Sequence, residues 1–319
     1  MNKLFIITGQ TATGKTAYAL KLAEKYNGEL VNFDSRQIYK YLDIITGKDL
    51  PQNSKAKFFL QKMSGNFSLG FYPINLTPST PLTKIWLYDI VKPKQYFSSF
   101  DYADCSITVI KSIIEEGKTP ILVGGNFLYI KHLLYGIDQN IAPNWKLRKE
   151  LKNKSVQKLQ SILSDINALL FNRLNNSEKN NPQRLIRKIE ITKSDSGKTK
   201  SGKERRKTLL SELGIKMSDI EMTGFKYRKK TDLIDIIGKR VEKRIKEGAV
   251  EEVKHLLKKN YTEDDPGLKT IGYQQIVHYL KGMITKNEAV KQWITKEVQY
   301  AKRQLTFMRK DKNIVWKDI

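Results

Sequence analysis

The chain opens on Leu4-Phe5-Ile6-Ile7-Thr8, a short apolar run that stops at Gly9. From Lys15 apolar residues recur at helical spacing through Ala17, Leu20 and Ala23, until Asn27-Gly28 ends the pattern. Strand, glycine-rich turn and helix are predicted in that order. Leu30 to Phe33, Lys84 to Tyr88 and Pro120 to Val123 are further buried-strand candidates, separated by helical or loop segments. Alternation of this kind predicts an α/β fold, a parallel sheet with helices on its faces.

The pattern changes after Gly136. Lys146 to Leu170 and Pro182 to Ile191 read as helices rich in Lys, Arg, Asn and Leu, with no strand between them. They predict an all-helical insertion over residues 139–216, with residues 1–138 and 217–319 forming the core. Lys193 to Lys207 holds no apolar residue and is expected to be a mobile basic loop. Ile220 to Phe225 reads as a strand that returns to the core. The remainder reads as helical, with Thr285 and Glu288 forming a capping box that opens the last helix.

Charge narrows the class of partner. Lys and Arg number 58 against 33 Asp and Glu, a net charge of +25, and the excess is +6 over residues 1–135 and +19 over the rest. Polyanions are the expected partners of such a chain. One cysteine and three histidines build neither an internal disulfide nor a zinc site. No stretch approaches the ~18 apolar residues of a membrane span, and the apolar run after Lys3 is too short for a signal peptide. A cytoplasmic protein without a membrane partner is expected, and a monomer by default, since no dimer seam is visible.

The chemistry begins at Gly9-Gln10-Thr11-Ala12-Thr13-Gly14-Lys15-Thr16, which fits G-x-x-x-x-G-K-[ST] and stands between a predicted strand and a predicted helix. Glycines let successive backbone N–H groups face an anion, the helix N-terminus adds positive potential, Lys15 reaches the outer phosphate and Thr16 is the expected Mg²⁺ ligand. The loop by itself specifies a diphosphate or triphosphate without deciding which, so nucleotide (ATP) binding is also open. Asp34 closes the second strand, where the carboxyl ends of a parallel sheet line the ligand crevice. A carboxylate there suits proton acceptance or Mg²⁺ ligation, or it caps the following helix. Asp89, ending the Ile85 to Tyr88 strand, is the second candidate for the metal acid.

Several segments occur in one order: the phosphate loop, Asp34-Ser35-Arg36-Gln37-Ile38-Tyr39, Ile121-Leu122-Val123-Gly124-Gly125, Pro182-Gln183-Arg184-Leu185-Ile186-Arg187, Ile271-Gly272-Tyr273 and Ala301-Lys302-Arg303-Gln304-Leu305-Thr306. In these motifs the sequence resembles the bacterial tRNA dimethylallyltransferase (tRNA isopentenyltransferase) family over nearly its whole length. The resemblance implies a P-loop NTPase-like core, a helical insertion that grips the tRNA anticodon stem-loop, and transfer of a dimethylallyl group from dimethylallyl diphosphate to N6 of the adenosine 3′ of the anticodon, position 37. By resemblance, Gly9 to Thr16 hold the diphosphate, Asp34 is general base, and Arg240 reaches the same diphosphate. The resemblance also implies tRNA contacts for Asp34, Ser35, Arg36 and Gln37, for Asn126 and Arg148, and for Gln183, Arg184, Leu185, Ile186 and Arg187. Lys269, Gly272, Tyr273, Lys302, Arg303 and Arg309 complete that set. Tyr39, Tyr129, Tyr273 and Phe307 are candidates to line the channel for the target base.

The sequence departs from the family at four places. Asn126-Phe127 follows the glycine pair where a threonine and a small residue are usual, and Ile236 and Val298 stand where arginines are common. A P-loop small-molecule kinase and a tRNA-binding paralogue with altered activity are the competing readings.

Overall fold

The computed structural model describes residues 3–48, 50, 58–75, 77, 80, 82–136, 143–195 and 208–319, of which the side chains of 195, 209 and 210 are left aside. They fall into two compact units, Met1–Tyr135 with Lys207–Ile319, and Gly136–Arg206.

The first unit is built on strands β1 (Leu4–Gly9), β2 (Gly28–Asn32), β3 (Phe59–Ser64), β4 (Phe67–Ile74), β5 (Thr83–Trp86), β6 (Thr119–Val123), β7 (Ile220–Lys226) and β8 (Ile314–Asp318). They form one sheet in the order β3-β4-β5-β2-β6-β1-β7-β8. From β5 to β8 every pairing is parallel. Strand β4 pairs antiparallel with both β3 and β5. The sheet is therefore mixed, with a hairpin added to a parallel core, where the alternation of elements predicted parallel strands alone.

Side chains of β1 alternate between the two faces as a buried strand requires. Phe5 and Ile7 pack with Ala19, Leu20 and Ala23 of α1 (Lys15–Tyr26). Leu4 and Ile6 face the larger layer. That layer contains α2 (Ser99–Glu115) and α3 (Phe127–Tyr135). Four chain-terminal helices complete it: α10 (Lys230–Lys246), α11 (Ala249–Lys258), α12 (Tyr273–Leu280) and α13 (Lys286–Met308). The expected capping box opens α13: the Thr285 hydroxyl accepts from the Glu288 N–H while the Glu288 carboxylate accepts from the Thr285 N–H. The chain does not stay helical to its end, because Ile314–Asp318 adds β8 alongside β7.

The second unit is helical throughout its described residues: α4 (Trp145–Leu151), α5 (Val156–Ile166), α6 (Ala168–Arg173), α7 (Asn176–Lys179) and α8 (Pro182–Asp195). What reads in sequence as one helix from Lys146 to Leu170 is three, because Ser155 and Asn167 each turn a side-chain oxygen onto a backbone N–H and start a new helix. Lys193 and Ser194 belong to the last turns of α8, and residues 196–207 of the predicted basic loop lie outside the described residues. Beyond them, α9 (Leu209–Leu213) is followed by Ile215, which is buried in the core cluster of the first unit.

Glu190 organises this unit. Its side chain has no exposed surface, and it accepts from the Asn144 N–H at 2.6 Å, from Arg148 Nε and Nη2 at 2.9 and 2.8 Å, and from Arg187 at 2.5 Å. Burial works to raise its pKa, but hydrogen bonds from Arg148 and Arg187 outweigh it and hold the carboxyl below its ordinary range. A depressed carboxyl stabilises above its ordinary value and loses that contribution as pH falls through the depressed one. Acid is therefore expected to loosen this unit below about pH 4.5. Glu190→Gln is expected to destabilise it at neutral pH by roughly 3 kcal/mol, since two guanidinium groups lose their buried partner. Hydrogen exchange in α4 and α8 checks both.

Candidate active site

The phosphate loop is stretched between the end of β1 and the start of α1. Gly9 sits at φ 131°, the Gln10 N–H donates to the Phe225 carbonyl at 2.9 Å, and the Gln10 carboxamide oxygen accepts from the Tyr227 N–H at 2.9 Å. The Tyr227 hydroxyl donates to the Ala12 carbonyl. Thr13 Oγ1 and Lys15 Nζ both donate to the Gln10 carbonyl, at 2.8 and 2.6 Å. Strand β7 and its continuation thus hold the loop from one side, and the Lys15 ammonium lies folded over it.

Asp34 follows β2. Its N–H donates to Asn32 Oδ1 at 3.0 Å, Asn32 Nδ2 donates to the Leu87 carbonyl at 3.2 Å, and Asp34 Oδ1 accepts from the Arg36 N–H at 2.8 Å. The carboxylate is thereby oriented by its own turn. A cavity of about 940 Å³ is lined by Thr11 to Thr16, Asp34, Arg36, Gln37, Arg240, Lys269 and Arg303. Loop, carboxylate and arginine, far apart in sequence, meet in one space. Gly9 and Gln10 support the loop from behind it.

Asp89 has another task. Lys48, whose side chain is 1% exposed, bridges Asp43 and Asp89 at 2.5 Å each, and the Tyr72 hydroxyl donates to the other Asp89 oxygen. Burial and the Asp89 charge raise the Tyr72 pKa, so it remains a donor. Asp89 is absent from the cavity lining and its oxygens are engaged by Lys48 and Tyr72, which speaks against the second-ranked candidate for the metal acid.

The geometry also shows residues that sequence reasoning missed. Thr46 and Gly47 line the cavity, as do Ile74 at the end of β4 with Asn75 after it, and Arg244, Glu297, Tyr300 and Gln304. Arg244 lies one turn beyond Arg240 on α10, a spacing that would have disclosed it. The Tyr300 hydroxyl is pushed up to about 12 by burial and by the charge of Asp34, which keeps it a protonated donor.

Comparison with known proteins gives the family. Residues 81–311 match the IPP transferase family. The chain belongs to that family. It is 32% identical to the tRNA dimethylallyltransferase of Thermodesulfovibrio yellowstonii, over 99% of this chain and 92% of the relative. It is 33% identical to that of Halothermothrix orenii, over 98% and 86%. The crystal structure of full-length tRNA isopentenylpyrophosphate transferase from Bacillus halodurans superposes with a TM-score of 0.64 at 29% identity, covering 100% of this chain and 90% of that one. A eukaryotic dimethylallyltransferase acting on tRNA shares the fold, with a TM-score of 0.71 at 21% identity over 100% of this chain and 74% of that one.

Within this family fold, the residues that the resemblance assigns to tRNA divide by environment. Ser35 is partly exposed, Lys302 is exposed on α13, and Arg309 is exposed at its C-terminal cap. Asn126 is partly exposed, and its N–H donates to the Phe33 carbonyl. Gly272 and Tyr273 are buried, the Tyr273 hydroxyl donating to Glu252 at 2.5 Å, so this pair packs beneath the Lys269 to Ile271 rim. In the helical unit Gln183 and Arg184 are exposed and Ile186 is half-buried. Leu185 is fully buried there and contributes packing, while Arg148 and Arg187 are committed to Glu190.

Tyr39 and Tyr129 are also core residues, Tyr129 stacking on Tyr102 at 4.3 Å, so neither lines the cavity. Phe307 packs edge-on against Phe127. Among the described residues the aromatics of the cavity lining are Tyr88 and Tyr300. Ile236 packs against the core and Val298 is buried.

Proposed function

We propose that this protein transfers the dimethylallyl group of dimethylallyl diphosphate to N6 of adenosine 37 in tRNA, releasing diphosphate. The observation that carries this reading is the convergence of the phosphate loop, Asp34 and Arg240 on one cavity in a member of the IPP transferase family. The bond from C1 of the prenyl group to the diphosphate oxygen breaks, a bond from N6 to C1 forms, and the proton leaving N6 passes to the Asp34 carboxylate. Negative charge grows on the departing diphosphate, so loop amides, Lys15 and Arg240 stabilise the transition state more than the ground state.

Thr16 brings a hydroxyl, a hard oxygen donor, to the cavity beside the phosphate loop, and it would hold Mg²⁺ together with oxygens of the diphosphate. When bound there, Mg²⁺ neutralises charge on the diphosphate. Among the described residues no helix is long and apolar enough to cross a membrane. We assign the phosphates of the anticodon stem-loop to the exposed cations Lys302 and Arg309 together with Arg36 and Lys269 at the cavity; in the helical unit, taken by itself, Arg184 is the exposed cation suited to RNA phosphate.

The test is diphosphate release with defined transcripts. Release is expected with dimethylallyl diphosphate and an anticodon stem-loop carrying A37, and not with the same RNA carrying G37. Equal release from both would reject N6 of adenosine 37 as the acceptor.

A further inference from the structure

Arg244 is an arginine in an unusual place. Only 5% of it is exposed, yet it lines the cavity that contains the phosphate loop. Its Nη1 donates to Glu297 Oε1 at 3.1 Å, and the indole N–H of fully buried Trp293 donates to the same oxygen at 2.7 Å. Glu297 lines the cavity as well. One carboxylate, fixed by an indole, thus orients the guanidinium.

Two guanidinium groups converge here. A Cβ placed on Gly47, at φ 64°, would lie 2.7 Å from Arg240 Nη2 and closer still to Arg244 Nη2. Only a residue without a side chain lets both reach this wall. Six cationic side chains line the cavity among the described residues against two carboxylates, Asp34 and Glu297. Two like charges packed side by side in a part-enclosed cavity repel, and an anion with several oxygens relieves that repulsion.

We propose that Arg244, oriented by Glu297, is a second guanidinium that binds the diphosphate of the prenyl donor beside Arg240. The inference rests on the reaction given above and adds a binding residue to it. A planar fork at 244 meets two oxygens at once, which an ammonium cannot do, so Arg244→Lys is not a conservative change. Glu297 acts as a positioning residue, through Arg244.

Affinity for inorganic pyrophosphate, measured by calorimetry, separates binding from chemistry, and KM values for both substrates complete the test. Arg244→Met is expected to weaken pyrophosphate binding and raise KM for dimethylallyl diphosphate about 10- to 100-fold, the size of a lost charged hydrogen bond, leaving KM for tRNA within about twofold. Because that variant strands a buried carboxylate, Arg244→Met combined with Glu297→Met removes both charges and is expected to fold with the same loss. Glu297→Gln should give a smaller loss of the same kind, in donor KM rather than tRNA KM. If the protein prenylates adenosine and the double variant binds pyrophosphate as wild type does, Arg244 is structural and the inference is overturned while the reaction stands. A wild-type protein that binds no pyrophosphate would overturn both.

Discussion

Asp34→Asn is expected to lower kcat by about 10²- to 10⁴-fold, the usual contribution of a general base, with little change in either KM. The amide keeps a carbonyl oxygen at the position where Asp34 Oδ1 accepts the Arg36 N–H, so the turn after β2 persists. What disappears is a group able to take the N6 proton. Asp89→Asn provides the contrast. Its carboxylate is held by Lys48 and Tyr72 outside the cavity, so the loss should appear in thermal stability, with kcat changing far less. A larger fall in kcat for Asp89→Asn than for Asp34→Asn would exchange the two assignments.

Gly9→Ala is expected to cost about 3 kcal/mol or more and to abolish diphosphate binding in whatever folds. At φ 131° the backbone is in a region that side chains other than glycine rarely adopt. A Cβ there would also overlap the Phe225 carbonyl oxygen and lie 2.5 Å from the Phe225 nitrogen. Both clashing atoms are backbone of β7, and no rotamer relieves them. The substitution must either part β1 from β7 or move the start of the phosphate loop. Thermal unfolding and pyrophosphate titration report the two effects. Wild-type values in both would show that the loop is not anchored through this contact.

The parallel core of the fold was legible because its strands are continuous apolar runs bounded by glycine or by polar turns, and because a complete phosphate-loop motif fixes one strand-to-helix junction. The hairpin was not. Gly65-Asn66 between two short runs is a hairpin signal, but the outer strand β3 leaves Phe59, Leu60 and Met63 exposed, so the apolar-polar alternation of a half-buried strand is missing. Strand β8 was hidden for a similar reason, being five residues long at the opposite edge with Val315 exposed.

At the site, short-range motifs were readable and convergence was not. Helical spacing places Tyr129 and Tyr273 on some face of a helix without telling whether that face meets the cavity or the core. Both meet the core. The same ambiguity concealed Arg244, an arginine that a reading by charge places on the surface. Its burial depends on Glu297 and Trp293, 53 and 49 residues further along the chain. Arg244 reaches the cavity one turn beyond Arg240, while Ile236 packs against the core and Val298 is buried.

In the proposed reaction the phosphate loop holds a prenyl diphosphate and Asp34 deprotonates the acceptor. Mass spectrometry of nucleosides from tRNA incubated with the protein, Mg²⁺ and dimethylallyl diphosphate tests it most directly. N6-dimethylallyladenosine is expected with wild-type protein, and next to none with Asp34→Asn. Phosphoryl transfer from ATP with no prenylated adenosine would contradict this reaction.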